Sequence, residues 1–475
     1  MRVREFAVPP SMIDIATTRR RVGDWAGACA AAHVDVEFDL RALARTHGSE
    51  LAARVRADLR HLAPDLLRWH LPRVAPDGLL RPGLTMVLAR YSDDGIRSGT
   101  AGFVDLVVRT PPAWADAGQR ISLALWDGSG TSPHPHPRPN RRFRLDLHRH
   151  LWDARRTAEL RRRSGVADWA ASNADAEQMR TGAVEFTTND AALTTLMSRG
   201  CAVDRWAAEA AILLRAEQSH AGSVLVRYGA RQRVVLDLNT DGDPSESLSG
   251  AAAEPVPRIA QNYSRGAVSA LPVLPDAATW VLPDLMLLRA GAISADRLHP
   301  LVAAALDPAC SSADVPGTTA GAGNPRIVEC RGAQHRIGLV NGVLAALDHD
   351  PAEIRREELL VALTGTPLPC LQVIDQAHRR PDRLAGIRER LDHGDTAGAL
   401  AVVEGLLGPD AQLRDGPLRD ELESVVQRRI TYGLFRAGLP APGRGLDRSI
   451  PRPRSVRAMH PRHATSSCPC GRRHS

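Results

Sequence analysis

The sequence has no lysine: all 61 basic residues are arginine. Lysine is ordinarily among the commonest residues, and its loss alongside abundant Ala, Arg, Gly and Pro fits a GC-rich coding bias. The absence removes whole classes of chemistry. A P-loop NTPase needs a lysine on the β/γ-phosphates. A protein kinase needs its strand lysine. PLP enzymes and Schiff-base aldolases need the amine itself. Aromatic residues are scarce at 4 %, so any core is mainly aliphatic. No run of about 18 apolar residues occurs, which leaves no candidate membrane span. Met1–Ile15 lacks a signal-type apolar stretch, and Pro9 and Pro10 interrupt it. The cysteines are few and odd in number, at 29, 201, 310, 330, 370, 468 and 470. That is no disulfide framework, and the expectation is a cytoplasmic protein without a membrane partner.

What is present is a long chain, 475 residues with 43 % apolar content, enough for several domains. The periodicities predict an α+β fold: antiparallel strands flanked by helices in the N-terminal half, then a small all-α domain and a disordered basic tail. The expected divisions are 1–165 (α+β), 166–308 (a second α+β module), 309–325 (linker), 326–439 (helical) and 440–475 (Arg/Pro-rich tail). Helical spacing covers 10–31, with Gly23-Asp24 as a break, and 49–62. Strand alternation marks 33–40, 84–91, 103–109 and 120–126, and a hairpin at 223–238. Two helices flank Gly291-Ala292, the second with Ser294 as its expected N-cap. Asp350-Pro351-Ala352-Glu353 is a helix start, with an Asp cap, Pro at N1 and Glu at N3. Ile337–Leu347 has the length of a buried helix. Gly23-Asp24-Trp25-Ala26-Gly27-Ala28 is echoed by Gly394-Asp395-Thr396-Ala397-Gly398-Ala399, which reads as one turn type used twice, since no repeat period accompanies it.

Charge is concentrated. Residues 138–163 hold ten Arg and three acids; residues 436–475 hold nine Arg and one acid. The remaining body is mildly acidic. Such segments suit phosphate contacts and counterion release. The expected nucleic-acid-binding residues are Arg138, Arg141, Arg142, Arg144, Arg149, Arg155 and Arg156. No helix-turn-helix, RNA-recognition or zinc-finger pattern accompanies them.

Metal-site patterns are partial. Asp237, Asn239 and Asp241, followed by Gly242, place oxygens at loop positions 1, 3 and 5 and resemble the front of an EF-hand-type calcium loop. Position 12 is Leu248 rather than Glu. His134-Pro135-His136 and His148-Arg149-His150 are two H-x-H pairs, which could serve a metal-dependent enzyme; five Arg within residues 138–149 make a poor setting for a cation. At the end of the chain, Cys468-Pro469-Cys470-Gly471 resembles the opening of the SEC-C zinc motif. That resemblance implies a tetrahedral zinc site with a second ligand pair, for which His474 and His463 (or His460) are at hand.

Nucleophile patterns are weaker. No G-x-S-x-G elbow occurs. Cys370 falls near a predicted helix start, with His378 about 12 Å further along the axis, so the two do not pair and a buried thiol is expected. Gly321-Ala322-Gly323 lacks the context of a dinucleotide loop. The leading expectation is a non-catalytic interaction or adaptor protein with a protein partner. The alternatives are a sequence-nonspecific nucleic-acid-associated protein and a metal-dependent enzyme.

Overall fold

A computed structural model describes residues 3–93, 102–128, 134–165, 195–219, 222–230, 232–239, 256–259, 265–306, 326–340, 343–365, 367–381, 383–409 and 411–439. The expected linker, the basic tail, Asp241 and the tail residues Cys468, Cys470, His463 and His474 lie outside them.

The chain opens with α1 (Pro10–Arg21) and α2 (Trp25–Ala31). Gly23, at φ +79°, makes the break between them, and Asp24 caps α2 by accepting from Gly27 N at 2.8 Å. Next come β1 (Val34–Val36), α3 (Leu40–His47), α4 (Ser49–His61) and α5 (Pro64–His70). A two-stranded ribbon, β2 (Arg73–Val74) and β3 (Leu79–Leu80), leads into the antiparallel strands β4 (Thr85–Asp93), β5 (Gly102–Arg109) and β6 (Ile121–Trp126). The expected meander is therefore present. β1 adds to it in parallel alongside β6, giving the order β1-β6-β5-β4. The two faces differ: Met86, Leu88, Leu106, Val108 and Leu123 join the main core with α4 and α5.

The arginine-rich stretch closes the open edge of β4. Asn140 N donates to Thr85 O at 2.9 Å, and Val87 N to Phe143 O at 3.2 Å. Two 3₁₀ turns follow, Leu145–Leu147 and Arg149–Leu151, then α6 (Glu159–Arg163). Leu145, Leu151 and Trp152 are buried through these tight turns, pinned where Trp152 Nε1 donates to Leu145 O at 3.0 Å.

The middle module is α7 (Trp206–Ala216) against β7 (Gly222–Arg227), β8 (Arg233–Asn239) and β9 (Val256–Ile259), with α8 (Arg265–Ala270) and α9 (Asp276–Thr279). Trp206, fully buried, centres its core. The helices α10 (Pro283–Arg289) and α11 (Pro300–Leu306) return to the first module: Leu285, Leu298, Val302 and Leu306 belong to the N-terminal core.

The C-terminal part is helical after a small sheet. β10 (Arg326–Cys330), β11 (Ala333–Val340) and β12 (Val343–Ala346) pair antiparallel. Ile337–Leu347 thus carries parts of two paired antiparallel strands rather than a helix. Its β-branched and small residues alternate along a three-stranded surface, and Ile337 and Ala346 face the core. Five helices follow: α12 (Pro351–Thr364), α13 (Pro369–Arg379), α14 (Leu384–His393), α15 (Thr396–Leu407) and α16 (Pro417–Arg436). Asp350 caps α12, accepting from Ala352 N at 2.9 Å. Asp395 caps α15, accepting from Gly398 N at 2.9 Å. The two Gly-Asp echoes therefore build the same turn and cap.

These helices dock on the first module. Gly394 and Gly118 meet so closely that a Cβ on Gly394 would lie 2.0 Å from Gly118 O. Arg68, fully buried, spends its guanidinium on three carbonyls: Ala7 at 2.8 Å, His393 at 3.0 Å, and Gln119. The last two aromatics of the chain seal the contact. Tyr432 donates to Asp35 at 2.8 Å, and the Phe435 ring stands edge-on to Trp114 at 5.4 Å.

Candidate ligand-binding cavity and arginine-lined cleft

Two concavities lie along the seam between the N-terminal and middle modules. The first has a volume of about 470 Å³, within the range of small-molecule sites. α5 supplies one wall. Its sequence Pro-Asp-Leu-Leu-Arg-Trp-His is buried on every side except partly at His70, so its polar groups must find partners inside the protein. His70 Nδ1 faces two carbonyl oxygens, Leu66 and Leu151, both at 3.1 Å. Carbonyls only accept, so Nδ1 carries the proton and Nε2 is left with its lone pair. That lone pair has no hydrogen bond, and Asp284 Oδ2 is 4.0 Å away. Burial drives the His70 pKa down, outweighing the pull of Asp284, so the ring is neutral. Asp284, near the start of α10, is held by Trp69 Nε1 at 2.9 Å.

Behind this pair stands a second one. His299 Nε2 donates to Asp65 Oδ2 at 3.0 Å, a tautomer fixed because His299 Nδ1 accepts from Leu301 N at 3.2 Å.

The opposite wall comes from the 3₁₀ turns and α6 that follow β6, and from α7. Arg163 makes a bidentate pair with Glu209, both bonds 2.5 Å, and donates to His148 Nδ1 at 3.1 Å. Burial first, then Arg163 and Arg144, push the His148 pKa down to about 3. His150, against His148 at 5.6 Å, lies well below its usual value through burial first, then through His148 and Arg163. Its Nδ1 has no partner. Arg73 gives Nη atoms to Gly78 O at 2.9 Å and Arg68 O at 2.7 Å, while its buried Nε is unpaired. Burial, then Arg68, lower the Arg73 pKa to about 9, so it stays cationic at neutral pH. Altogether the walls carry six guanidinium groups and three carboxylates.

The second concavity, about 970 Å³, is lined by Arg90, Arg138, Arg141, Arg142, Arg227 and Arg233 against Asp105, with Trp126, Asn140 and Gln232 beside them. Arg227 and Arg233 are direct cross-strand partners on β7 and β8. Like charges so placed repel.

The structure divides the expected nucleic-acid residues into two sets. Arg138, Arg141 and Arg142 reach the cleft, although Arg142 also pairs with Asp276 at 2.8 Å. Arg141 holds the middle module through the Ser269, Ala270 and Leu271 carbonyls. Arg144, Arg149, Arg155 and Arg156 are spent on carboxylates: Asp146 and Glu217, Asp58, Asp153 and Glu159 respectively. The stretch is therefore largely a clamp between modules.

Other candidates disperse. His134 uses both ring nitrogens in a turn, Nε2 to Thr110 O at 3.0 Å and Nδ1 accepting from His136 N at 3.1 Å. Among the described residues, no metal-ligand grouping forms around His134–His150. Asp237 lies within β8, opposite Ser223 and Arg258, and the strand continues through Asn239; the third calcium-candidate residue, Asp241, is outside the described residues. Cys370 is buried, with its pKa raised to about 11 by burial and by Cys330; His378 is buried on the same helix.

The polar residues of α5 and α10 were not singled out by the sequence reading. A signal was available: Pro64-Asp65-Leu66 and Pro283-Asp284-Leu285 open two short helices alike, each with a buried Asp at the second position. No family model, characterised protein or solved structure matches this chain. No described helix is long and apolar enough to cross a membrane.

Proposed function

We propose that this chain is a non-catalytic binding protein whose cavity beside His70 takes a compact anionic molecule that also bears a hydroxyl or amine. One observation carries the reading: three buried polar atoms without partners, His70 Nε2, His150 Nδ1 and Arg73 Nε, belong to residues around one cavity. An unsatisfied buried polar group costs roughly 1–3 kcal/mol, and three around one space favour an occupant that satisfies them. The neutral His70 Nε2, beside Asp284, calls for a donor. Arg73 Nε and the excess of guanidinium groups call for an acceptor with negative charge. Ser164 is the one hydroxyl among the lining side chains, and its Oγ donates to Arg161 O at 3.3 Å, which favours binding over nucleophilic catalysis. Exposed apolar residues on the C-terminal sheet and α12, such as Ile327, Val343 and Leu359, support a protein-interaction role. Free buried thiols at Cys29 and Cys201 fit a cytoplasmic setting.

The test is a thermal-shift screen of the full chain against sugar phosphates, nucleoside monophosphates, amino acids and hydroxy-carboxylates. A hit should stabilise the wild type and fail with His70→Gln and Arg73→Gln. Stabilisation unaffected by both substitutions would refute the assignment.

A second reading rests on the cleft: Arg227 and Arg233 face each other across two strands, an arrangement that a bound phosphate would relieve. This supports a sequence-nonspecific nucleic-acid role, with Arg138 and Arg141 extending the footprint and Trp126 offering a stacking surface. Binding of a labelled single strand should then fall steeply with salt and weaken in Arg227→Gln/Arg233→Gln. Binding that is insensitive to salt or to that double substitution would remove it.

A further inference from the structure

Cys330, His349 and Cys370 are brought from three separate parts of the C-terminal sheet unit, and their ligand atoms all lie within 4.8 Å of one another. Cys330 ends β10, His349 precedes the cap of α12, and Cys370 is the second residue of α13. Both cysteines are free thiols, 0 % and 1 % exposed, and the His349 side chain is 3 % exposed. Two thiols and an imidazole within that radius match the donor set and spacing of a four-coordinate zinc site, where metal–sulfur bonds are about 2.3 Å and metal–nitrogen bonds about 2.0 Å.

The surroundings fit as well. His349 Nδ1 faces Glu353 Oε2 at 3.4 Å, and Glu353 is itself held by Arg331 at 2.7 Å. A carboxylate on Nδ1 fixes the tautomer that leaves Nε2 free to ligate, the arrangement usual around metal-bound histidine. His335 Nδ1, from β11, lies 2.7 Å from His349 Nε2, a hydrogen bond that metal binding at His349 replaces, and His335 stands beside the group of three rather than within it. Three strands and one helix share a core of six buried residues, two of them these cysteines. A unit with so small a core gains most from a metal cross-link.

We propose that Cys330, Cys370 and His349 ligate a structural zinc ion that ties β10 to the starts of α12 and α13, with His335 of β11 turning in to complete the four-coordinate shell. Binding displaces a proton from each thiol and leaves two thiolates and two neutral imidazoles on the ion, with no oxidation or reduction. This site is distinct from the ligand set His463, Cys468, Cys470 and His474 expected in the tail, and it is independent of the cavity.

The test is metal analysis of the full chain purified without chelator, paired with cobalt substitution. The wild type should carry close to one equivalent of zinc. Its cobalt form should show the intense ligand-field bands of tetrahedral coordination and thiolate-to-cobalt charge transfer. Cys330→Ser, Cys370→Ser and His349→Ala should each lose the metal, and Cys468→Ser/Cys470→Ser should keep it. Because a ligand variant can simply unfold, His349→Cys serves as the rescue: three thiolates and an imidazole should retain zinc and strengthen the charge-transfer band. Three results would each overturn the proposal: a wild type that folds without metal and takes up no cobalt, metal that leaves only with the tail cysteines, or a Cys330–Cys370 disulfide in non-reduced peptide maps.

Discussion

The cavity and the cleft lie along one seam and use arginine in opposite ways. Around the cavity, three of the six guanidinium groups are paired with carboxylates of the protein: Arg163 with Glu209, Arg142 with Asp276, Arg144 with Asp146 and Glu217. What remains open there is a small set of single atoms at His70, His150 and Arg73. Along the cleft, the pairing runs the other way, with Arg227 set opposite Arg233 and Arg138 exposed nearby. A buried guanidinium must be satisfied by its own chain or the fold is penalised. An exposed one leaves that task to water or to a ligand. Identical residue types in one segment therefore divide into cement and recognition according to the partners that the fold brings to each.

The sharpest way to break this contrast is Arg163→Ala. It strips a bidentate partner from the buried Glu209 and removes the donor from His148. The expected loss is about 3–5 kcal/mol, because a buried charge is left uncompensated. Urea denaturation measures it, and Arg163→Met/Glu209→Leu should recover much of it. A loss below about 1 kcal/mol would mean the pair behaves as if exposed, and the cement reading would fail.

Acid should act on the cavity side as well. In the unfolded chain His70, His148 and His150 titrate near 6.5; in the fold all three pKa values are lowered, His148 to about 3. The unfolded state then binds more protons, so stability is complete above about pH 6.5 and declines as pH falls toward the folded values. Each such histidine adds at most about 1.4 kcal/mol per pH unit in that window. Denaturation midpoints at successive pH values should therefore fall less steeply in His148→Gln than in the wild type. Equal slopes would show that His148 is not held neutral.

The cleft should respond differently. Arg227→Gln removes a like-charge pair, so stability should hold or rise by up to about 1 kcal/mol, while affinity for a labelled single strand drops. A clear destabilisation would place Arg227 with the cement. The smallest effect belongs to Arg155→Ala. Its side chain is 54 % exposed beside Asp153, and the change in melting free energy should stay within about 1 kcal/mol.

Much of the fold was legible because its local signals agree. The Gly-Asp turns, the Asp350-Pro351 start and the alternation of β4–β6 each needed only neighbouring residues. The parallel addition of β1 to β6 was not legible, since it depends on a partner 87 positions away (Val34 with Ile121). Ile337–Leu347 was misread for a related reason: a short apolar run reads alike as buried helix or strand until its partners are known. The arginine stretch was visible as charge, but its carboxylate partners at 209, 217 and 276 are remote in sequence, so clamp and footprint looked the same. His70 and Asp284 are separated by more than two hundred residues and join only through packing. Tyr432 and Phe435 are the last two aromatics of the chain, yet nothing local in the sequence says that they seal the contact with the first module.

The central claim, an occupant in the cavity beside His70, is tested most directly by native mass spectrometry of the freshly purified full chain. A discrete small-molecule adduct is predicted for the wild type and for Arg227→Gln/Arg233→Gln, and it should be lost from His70→Gln/Arg73→Gln. An adduct that instead follows Arg227 and Arg233, or its absence together with no stabilisation by any compound of the screen, would contradict the account.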